Sequence, residues 1–295
     1  MPPRSSSPGR AARLAALAAL VLLATAGALA AAWIALPDPA PLARRNPATT
    51  ALIEQRRAEA KVRRRAFSPR QSWVSLDRVA PALIDAVLLS EDANFFGHEG
   101  IDWAAVRAAV EHDLQAGSFA RGASTITQQL AKNLWLGTEK SLWRKGKEAL
   151  LASKVERSLS KRRILALYVN VAEWGPGVFG VEAGARQRFG TSAAALTPAQ
   201  AVVMASMLPA PLRVDLGSPS TWLRRRSRRL LDRMHASGRL SDEGHLRASA
   251  ELERILAGPA PADDRDEPPE EEPPSAPVPP AELTPAAAPE AAKAG

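Results

Sequence analysis

Glu91 and Asp92 stand side by side in Ser90-Glu91-Asp92-Ala93-Asn94-Phe95-Phe96-Gly97-His98-Glu99-Gly100. Acids, a histidine and aromatics crowd one helix-to-loop corner, where a carboxylate is placed to act as a general base. The same pair also suits a plain helix end. A second stretch, Arg121-Gly122-Ala123-Ser124-Thr125-Ile126-Thr127-Gln128-Gln129-Leu130-Ala131-Lys132-Asn133, feeds a small-residue loop into a helix with hydroxyls in its first turn. Helix N-termini bind anions through free N–H groups, and Lys132 adds a mobile cation; an ordinary capped helix reads the same way. In Arg144-Lys145-Gly146-Lys147-Glu148, Arg144 and Glu148 share one helix face at i, i+4. That is either a surface ion pair or a cationic clamp beside a second carboxylate. The fourth stretch runs from Lys161 to Asn170, before Glu173-Trp174-Gly175. Its apolar positions belong to a core, and Asn170 sits where a helix cap would.

These stretches must be held by helices. Alanine and leucine are abundant, Tyr occurs once, and there is no cysteine. Thiolate metal sites, thiol nucleophiles and disulfide frameworks are therefore excluded. Apolar residues recur at helical spacing in four sets. These are Leu83, Ile84, Val87, Leu88; Trp103, Val106, Val110, Leu114; Ile126, Leu130, Leu134; and Ile164, Leu165, Tyr168, Val169. Thr197-Pro198-Ala199-Gln200 is a capping box with proline at the first helical position, opening a helix through Met207. Ser220 and Ser241 are caps for two more helices, the last ending at Gly258-Pro259. Arg224-Arg225-Arg226-Ser227-Arg228-Arg229 reads as a solvated basic helix near headgroups. Ser72-Trp73-Val74-Ser75-Leu76 reads as one short strand.

The chain divides by composition. Residues 1–13 are basic, and 14–36 carry no charge, long enough to span a bilayer. Ala28-Leu29-Ala30 also resembles a signal cleavage site, but the apolar run is longer than a signal core, so an uncleaved anchor is expected. Residues 37–66 read as a stalk or linker, partly helical from Ala51 to Ala66, with basic residues suited to lipid headgroups. Residues 67–257 are expected to form the main folded domain. Residues 258–295 hold eleven of the 25 prolines and read as a disordered tail. That tail carries nine acids against two bases, net −7, so with a total of +8 the first 257 residues carry +15. A body that basic expects an anionic partner.

Together the four stretches resemble glycosyltransferase family 51, the peptidoglycan polymerases. The Glu-Asp-x-x-Phe-x-x-His-x-Gly pattern is met at Glu91, Asp92, Phe95, His98 and Gly100. The second motif is met at Gly122, Ser124, Thr125, Ile126, Thr127, Gln128, Gln129, Lys132 and Asn133. Arg-Lys-x-x-Glu is met at Arg144, Lys145 and Glu148, and Ile-Leu-x-x-Tyr-x-Asn at Ile164, Leu165, Tyr168 and Asn170. The similarity covers about Ser72 to Leu212; Ala166 departs from it, where many bifunctional relatives have Glu.

The resemblance implies an all-α, lysozyme-like fold with a small membrane-facing lobe, behind one N-terminal transmembrane helix. Gly97 to Arg121, with Trp103 and Phe119, is expected in or beside that lobe. It implies polymerisation of lipid II into glycan strands, with inversion at MurNAc C1 and loss of undecaprenyl pyrophosphate. Glu91 is implied as the base and Glu148 as the second carboxylate. Lys132, Arg144 and Lys145 are implied to hold the pyrophosphate, and Ser124, Gln128, Gln129 and Asn133 to line the cleft. Asp92, Phe95, His98, Gly100, Gly122, Thr125 and Asn170 support the site. No essential cofactor is expected, with Mg²⁺ or Mn²⁺ an option at acids near a pyrophosphate. The expected partners are lipid II, the growing strand and inner-membrane lipids, with cell-wall or division proteins through the tail, and no nucleic acid. The expected location is the inner membrane, single-pass, with the catalytic domain periplasmic. Ser158-Leu159-Ser160-Lys161 has no Lys-Thr-Gly or Ser-x-Asn after it, so no transpeptidase activity is expected. An inactive membrane-anchored scaffold and a lysozyme-like lytic enzyme are the alternatives, the cationic residues arguing against the second.

Overall fold

An alanine- and leucine-rich run with no internal proline forms α1, Arg10–Ala35. At 1.5 Å per residue a 26-residue helix is about 39 Å long. Its segment Ala12–Ala35 is long and apolar enough to cross a membrane. The computed structural model describes residues 9–116, 124–137 and 141–259. The chain through Asp38 forms one unit and the chain from Pro39 another.

The second unit is helical, as expected, with ten further α-helices among the described residues. They are α2 (Ala51–Val62), α3 (Pro81–Glu91), α4 (Trp103–Ala116), α5 (Ile126–Ala131), α6 (Leu142–Ser158), α7 (Lys161–Val171), α8 (Val181–Phe189), α9 (Pro198–Met207), α10 (Thr221–Ala236) and α11 (Asp242–Ile255). Helix α9 lies at the centre. Val202 to Met207 are all buried, so it is enclosed on every side, as an interior helix must be. Helices α3, α8, α10 and α11 pack around it. The expected capping box is present: Thr197 Oγ1 accepts from Gln200 N, and Gln200 Oε1 accepts from Thr197 N. Ser220 and Ser241 cap α10 and α11, also as expected.

Three short strands make the only sheet among the described residues, in the order β1 (Arg70–Gln71), β3 (Val178–Phe179), β2 (Glu173–Gly175). β1 runs parallel to β3, and β2 antiparallel to it. The strand expected at 72–76 is not one. The backbone of Val74 pairs instead with a side chain: its N–H donates to Asn170 Oδ1 and its C=O accepts from Asn170 Nδ2, each at 2.9 Å. One amide on α7 does what a neighbouring strand would do. Asn170 Nδ2 also reaches Ala166 O at 2.8 Å. Gly180, at φ +81°, passes so close that a Cβ would lie 2.9 Å from Asn170 O.

The reading of 37–66 as a stalk is corrected by packing. Thr50 caps α2, whose Leu52 and Ile53 are buried with Phe179. Arg56 reaches across to the buried carboxylate of Glu173 at 2.9 Å. Burial raises the Glu173 pKa and Arg56 pulls it back. A chain segment that buries apolar side chains and a paired ion belongs to the body; the folded unit starts at Pro39, not at residue 67.

Three of the four periodic sets pack inward. Leu83, Val87, Ile126, Leu130, Ile164, Leu165 and Tyr168 are at most 1% exposed. The fourth turns outward: on α4, Trp103 is 71% and Leu114 75% exposed. Phe119, Arg121 and Gly122 lie outside the described residues, as do residues 1–8 and the tail from 260.

Removing the Asn170 amide leaves the Val74 N–H and C=O without partners. Asn170→Ala is expected to destabilise the body by about 2–3 kcal/mol. Thermal unfolding in detergent should show this as a transition lowered by several degrees.

Candidate active site

The site begins where α3 ends. Pro81 at the first turn starts that helix, and Glu91 is its last residue. Asp92 comes next, in an extended conformation that turns its carboxylate into the body. There Asp92 Oδ2 accepts from the backbone N–H of Ile126 at 2.9 Å. Both its oxygens lie 3.0–3.1 Å from His98 Nε2. The N–H of Gly100 donates to His98 Nδ1 at 3.0 Å, so Nε2 carries the proton and donates to Asp92. Gly100 has φ +95°, and its carbonyl accepts from Thr125 Oγ1 at 2.6 Å. Thr125 and Gln128 then close a reciprocal capping box on α5. The first two motifs are therefore bolted together by their own side chains.

This geometry shows the start of α5 to be an ordinary capped helix and corrects one expectation. The N-terminus of α5 is not an open anion site, because the N–H of Ile126 is taken by Asp92 and that of Gln128 by Thr125. Gln128 is not a cleft residue; its carbonyl oxygen is bound to Thr125 N, and the side chain is buried. Asp92, His98, Gly100 and Thr125 are joined by hydrogen bonds to one another and to α5. Phe95 is core, with Lys161 Nζ 4.5 Å from its ring centre. Asn170 holds the 74 region.

Gln129 points the other way along α5. Its Nε2 donates to Glu91 Oε2 at 3.0 Å, and its Oε1 accepts from Tyr168 OH at 3.0 Å. Burial, with the charges of Glu91 and Asp92, raises the Tyr168 pKa well above the usual value, so the phenol stays a proton donor. That fixes the amide with its NH₂ toward Glu91. The other carboxylate oxygen, Oε1, accepts from Ser90 Oγ at 3.0 Å and from Arg226 Nη2 at 3.2 Å.

Arg226 thus belongs to the site, and the reading of its run as wholly solvated is corrected. The signal lay in the period of α10: Trp222, Leu223, Ser227, Leu230, Leu231 and Met234 form its buried stripe. Arg226 falls inside that stripe, four residues from both Trp222 and Leu230.

Helix α5 passes into a π-helical turn, Lys132–Leu136, with Asn133 and Leu134 buried. Such turns re-aim side chains, often at functional sites. On α6, capped by Ser141, the expected Arg144–Glu148 pair forms across one turn. It is no surface pair, because the Glu148 side chain is only 3% exposed. Lys145 Nζ binds Glu148 Oε1 at 2.6 Å and donates to Ser124 Oγ at 2.6 Å. Glu148 thus gathers the two cations.

Lys132 sits in the field of all these groups. Burial lowers its pKa first; Arg144 and Lys145 push the same way, while Glu148 and Glu91 push back. Among the described residues its ammonium has no hydrogen bond or ion pair of its own. A desolvated cation without a partner of its own is costly to bury. No three His, Asp or Glu side chains converge to hold a metal ion among the described residues. A groove of about 490 Å³ lies elsewhere, along α7, lined by Trp73, Arg162, Arg163 and Asn170. Arg163 there binds Leu42 O and Asn46 Oδ1, and Arg162 binds Asp77, so its cations are engaged by the fold.

Among known proteins the chain has clear relatives. The family described as transglycosylase matches residues 58–235. The biosynthetic peptidoglycan transglycosylase of Bordetella pertussis is 44% identical over 194 residues, covering 64% of this chain and 80% of that protein. The protein of the same name in Alcanivorax borkumensis is 41% identical over 208 residues, 70% and 82% of the two chains. That of Nitrosospira multiformis is 40% identical over 189 residues, 64% and 82%.

The lowered pKa of Lys132 has a sign that can be read in kinetics. A cation needed for anion binding is lost as pH rises through its pKa, so the alkaline limb of kcat/KM should fall below the ordinary lysine value of 10.5. Lys132→Arg, which does not titrate there, should move that limb to higher pH while lowering the rate. An unmoved limb would assign the titration to another group.

Proposed function

We propose that this chain, which belongs to the transglycosylase family, is a peptidoglycan glycosyltransferase that polymerises lipid II with Glu91 as its base. The observation that carries this reading is that Glu148 gathers Arg144 and Lys145 while buried Lys132 lies in the field of both Glu148 and Glu91. A general base beside an anion site suits transfer from a diphosphate donor.

In this mechanism Glu91 takes the proton from the 4-hydroxyl of the acceptor GlcNAc as that oxygen attacks C1 of the donor MurNAc. The C1–O bond to the diphosphate breaks on the opposite face, the configuration inverts, and undecaprenyl pyrophosphate leaves with the bonding pair. Gln129 and Arg226 hold the Glu91 carboxylate toward the acceptor. Lys132, Arg144 and Lys145 meet the charge that grows on the leaving oxygen, where fixed cations in a desolvated site act most strongly. Glu148 keeps Arg144 and Lys145 in place, and Ser124 orients Lys145. A hydrolase acting on finished glycan would not need this cationic cluster.

The substrate is a lipid, and the outward stripe of α4 supports a membrane-facing lobe. Trp103, Val110 and Leu114 are exposed on one side of that helix, as in helices that lie at a bilayer surface. With α1 as the anchor, the body would work at the periplasmic face of the inner membrane. The anchor would raise the local concentration of enzyme and lipid substrate together.

Labelled lipid II in detergent, with products separated on a gel, tests the reaction. The native protein should yield a penicillin-insensitive ladder of glycan strands. Glu91→Gln should lower the rate by roughly 10²–10⁴-fold. Glu148→Gln should reduce it chiefly through weaker donor binding. Absence of polymer from folded, membrane-competent protein would overturn the assignment. Separately, Trp103→Glu with Leu114→Glu should slow polymerisation in vesicles while leaving the rate in detergent near native; equal loss in both would refute the lipid role of α4.

A further inference from the structure

Glu91 is held unevenly. Two donors meet its Oε1, Ser90 Oγ at 3.0 Å and Arg226 Nη2 at 3.2 Å. Arg226 Nη2 also donates to Ser90 Oγ at 2.8 Å, so this side of the carboxylate sits in a small closed network. Among the described residues, Oε2 has one donor, the neutral amide of Gln129 at 3.0 Å. The Glu91 side chain is only 7% exposed, so little solvent is at hand to replace that donor.

An amide has two ends of equal shape, and they act oppositely on a carboxylate. The NH₂ end donates to the charged form and favours it. The carbonyl end repels the charged form and accepts only from the protonated one. Glu91 fits either end, ionised against the NH₂ or protonated against the carbonyl. A choice between them needs a partner of fixed polarity at the far end of the amide.

Tyr168 is that partner. It is the only tyrosine in the chain, and its ring lies in the core. Its hydroxyl donates to Gln129 Oε1 at 3.0 Å, its one hydrogen bond among the described residues. Burial first, then the charges of Glu91 and Asp92, keep the phenol protonated against the pull of Arg226. With the amide reversed, the buried O–H would face an NH₂ group and donate to nothing, and buried donors are costly to leave unpaired. The other charged groups that bear on Glu91 or Tyr168 are Asp92 after α3, Arg226 on α10 and Lys132 after α5. None of the three hydrogen-bonds the Gln129 amide among the described residues.

Taking Glu91 as the base, we propose that Tyr168 is a positioning residue for the reaction. Its hydroxyl, acting through Gln129, keeps the donor end of that amide on Glu91 and so holds the carboxylate in its proton-accepting form. Tyr168 stands behind Gln129 and acts only through it.

Tyr168→Phe keeps the ring and removes the donor. In the full chain in detergent, with lipid II as substrate, the acidic limb of kcat/KM should move to higher pH by about one unit, the size expected for one weakened hydrogen bond. The sign follows from the base: its activity is lost as pH falls and it takes up a proton, and a carboxylate with a poorer donor does so at higher pH. The alkaline limb should stay in place. Gln129→Met removes the amide and should give a similar shift, and adding Tyr168→Phe to it should add nothing. The NMR signal of the Glu91 carboxylate in carbon-labelled protein, identified by its loss in Glu91→Gln, should show the same shift without substrate. That signal separates the relay from the reaction: a shift in a protein that makes no polymer would sustain the relay and refute the polymerase reading. A limb and a signal both unmoved in folded Tyr168→Phe would overturn the proposal even where polymer forms. So would an equal further shift in the Gln129→Met background, since Tyr168 would then act by another route. A merely structural role would lower the thermal transition and move neither titration.

Discussion

The Asp92 carboxylate ties together what the rest of the site depends on. Its oxygens reach the backbone of Ile126, 34 residues away, and the ring of His98. A buried carboxylate is costly unless its lone pairs are satisfied, and here they are met by a backbone N–H at a helix start and by an imidazole N–H. Because Asp92 is covalently next to Glu91, anchoring one aims the other. Because Ile126 opens α5, the same contact sets where Gln129 and Lys132 arrive. Two segments far apart in the chain thereby share one rigid frame.

On that frame the charges are arranged unevenly. Glu91 is held by Ser90, Gln129 and Arg226, and Glu148 by Arg144 and Lys145. Buried ion pairs of this kind contribute little net stability, because desolvation offsets their attraction. Their value is in placement. Lys132 is the exception: it is desolvated, feels the charge of both carboxylates, and among the described residues pairs with neither. In the proposed reaction an anionic ligand would supply the partner that Lys132 lacks.

The outer surfaces repeat this division between framework and function. The α4 stripe keeps helical periodicity while facing away from the core, and α10 presents one face of arginine inward to Glu91 and another outward. In both helices a single regular element serves two environments, since its faces are separated by rotation about one axis.

The residues by themselves determined a good deal. Spacing placed Arg144 and Glu148 on one helix face, Thr197 with Gln200 in a capping box, and the apolar sets at Leu83, Ile126 and Ile164 in a core. These are local matters, set within one or two turns of helix. The motif resemblance singled out Glu91, Lys132 and Glu148 as residues belonging together. Tertiary structure alone decided the remainder. The direction in which the α4 stripe faces depends on which helices pack beside it. The docking of α2 depends on Glu173, 117 residues from Arg56. Gln128 and Gln129 are adjacent and chemically alike, yet one caps its own helix and the other holds Glu91. A helix turns about 100° per residue, so neighbours meet different surroundings, and those surroundings are assembled from distant parts of the chain.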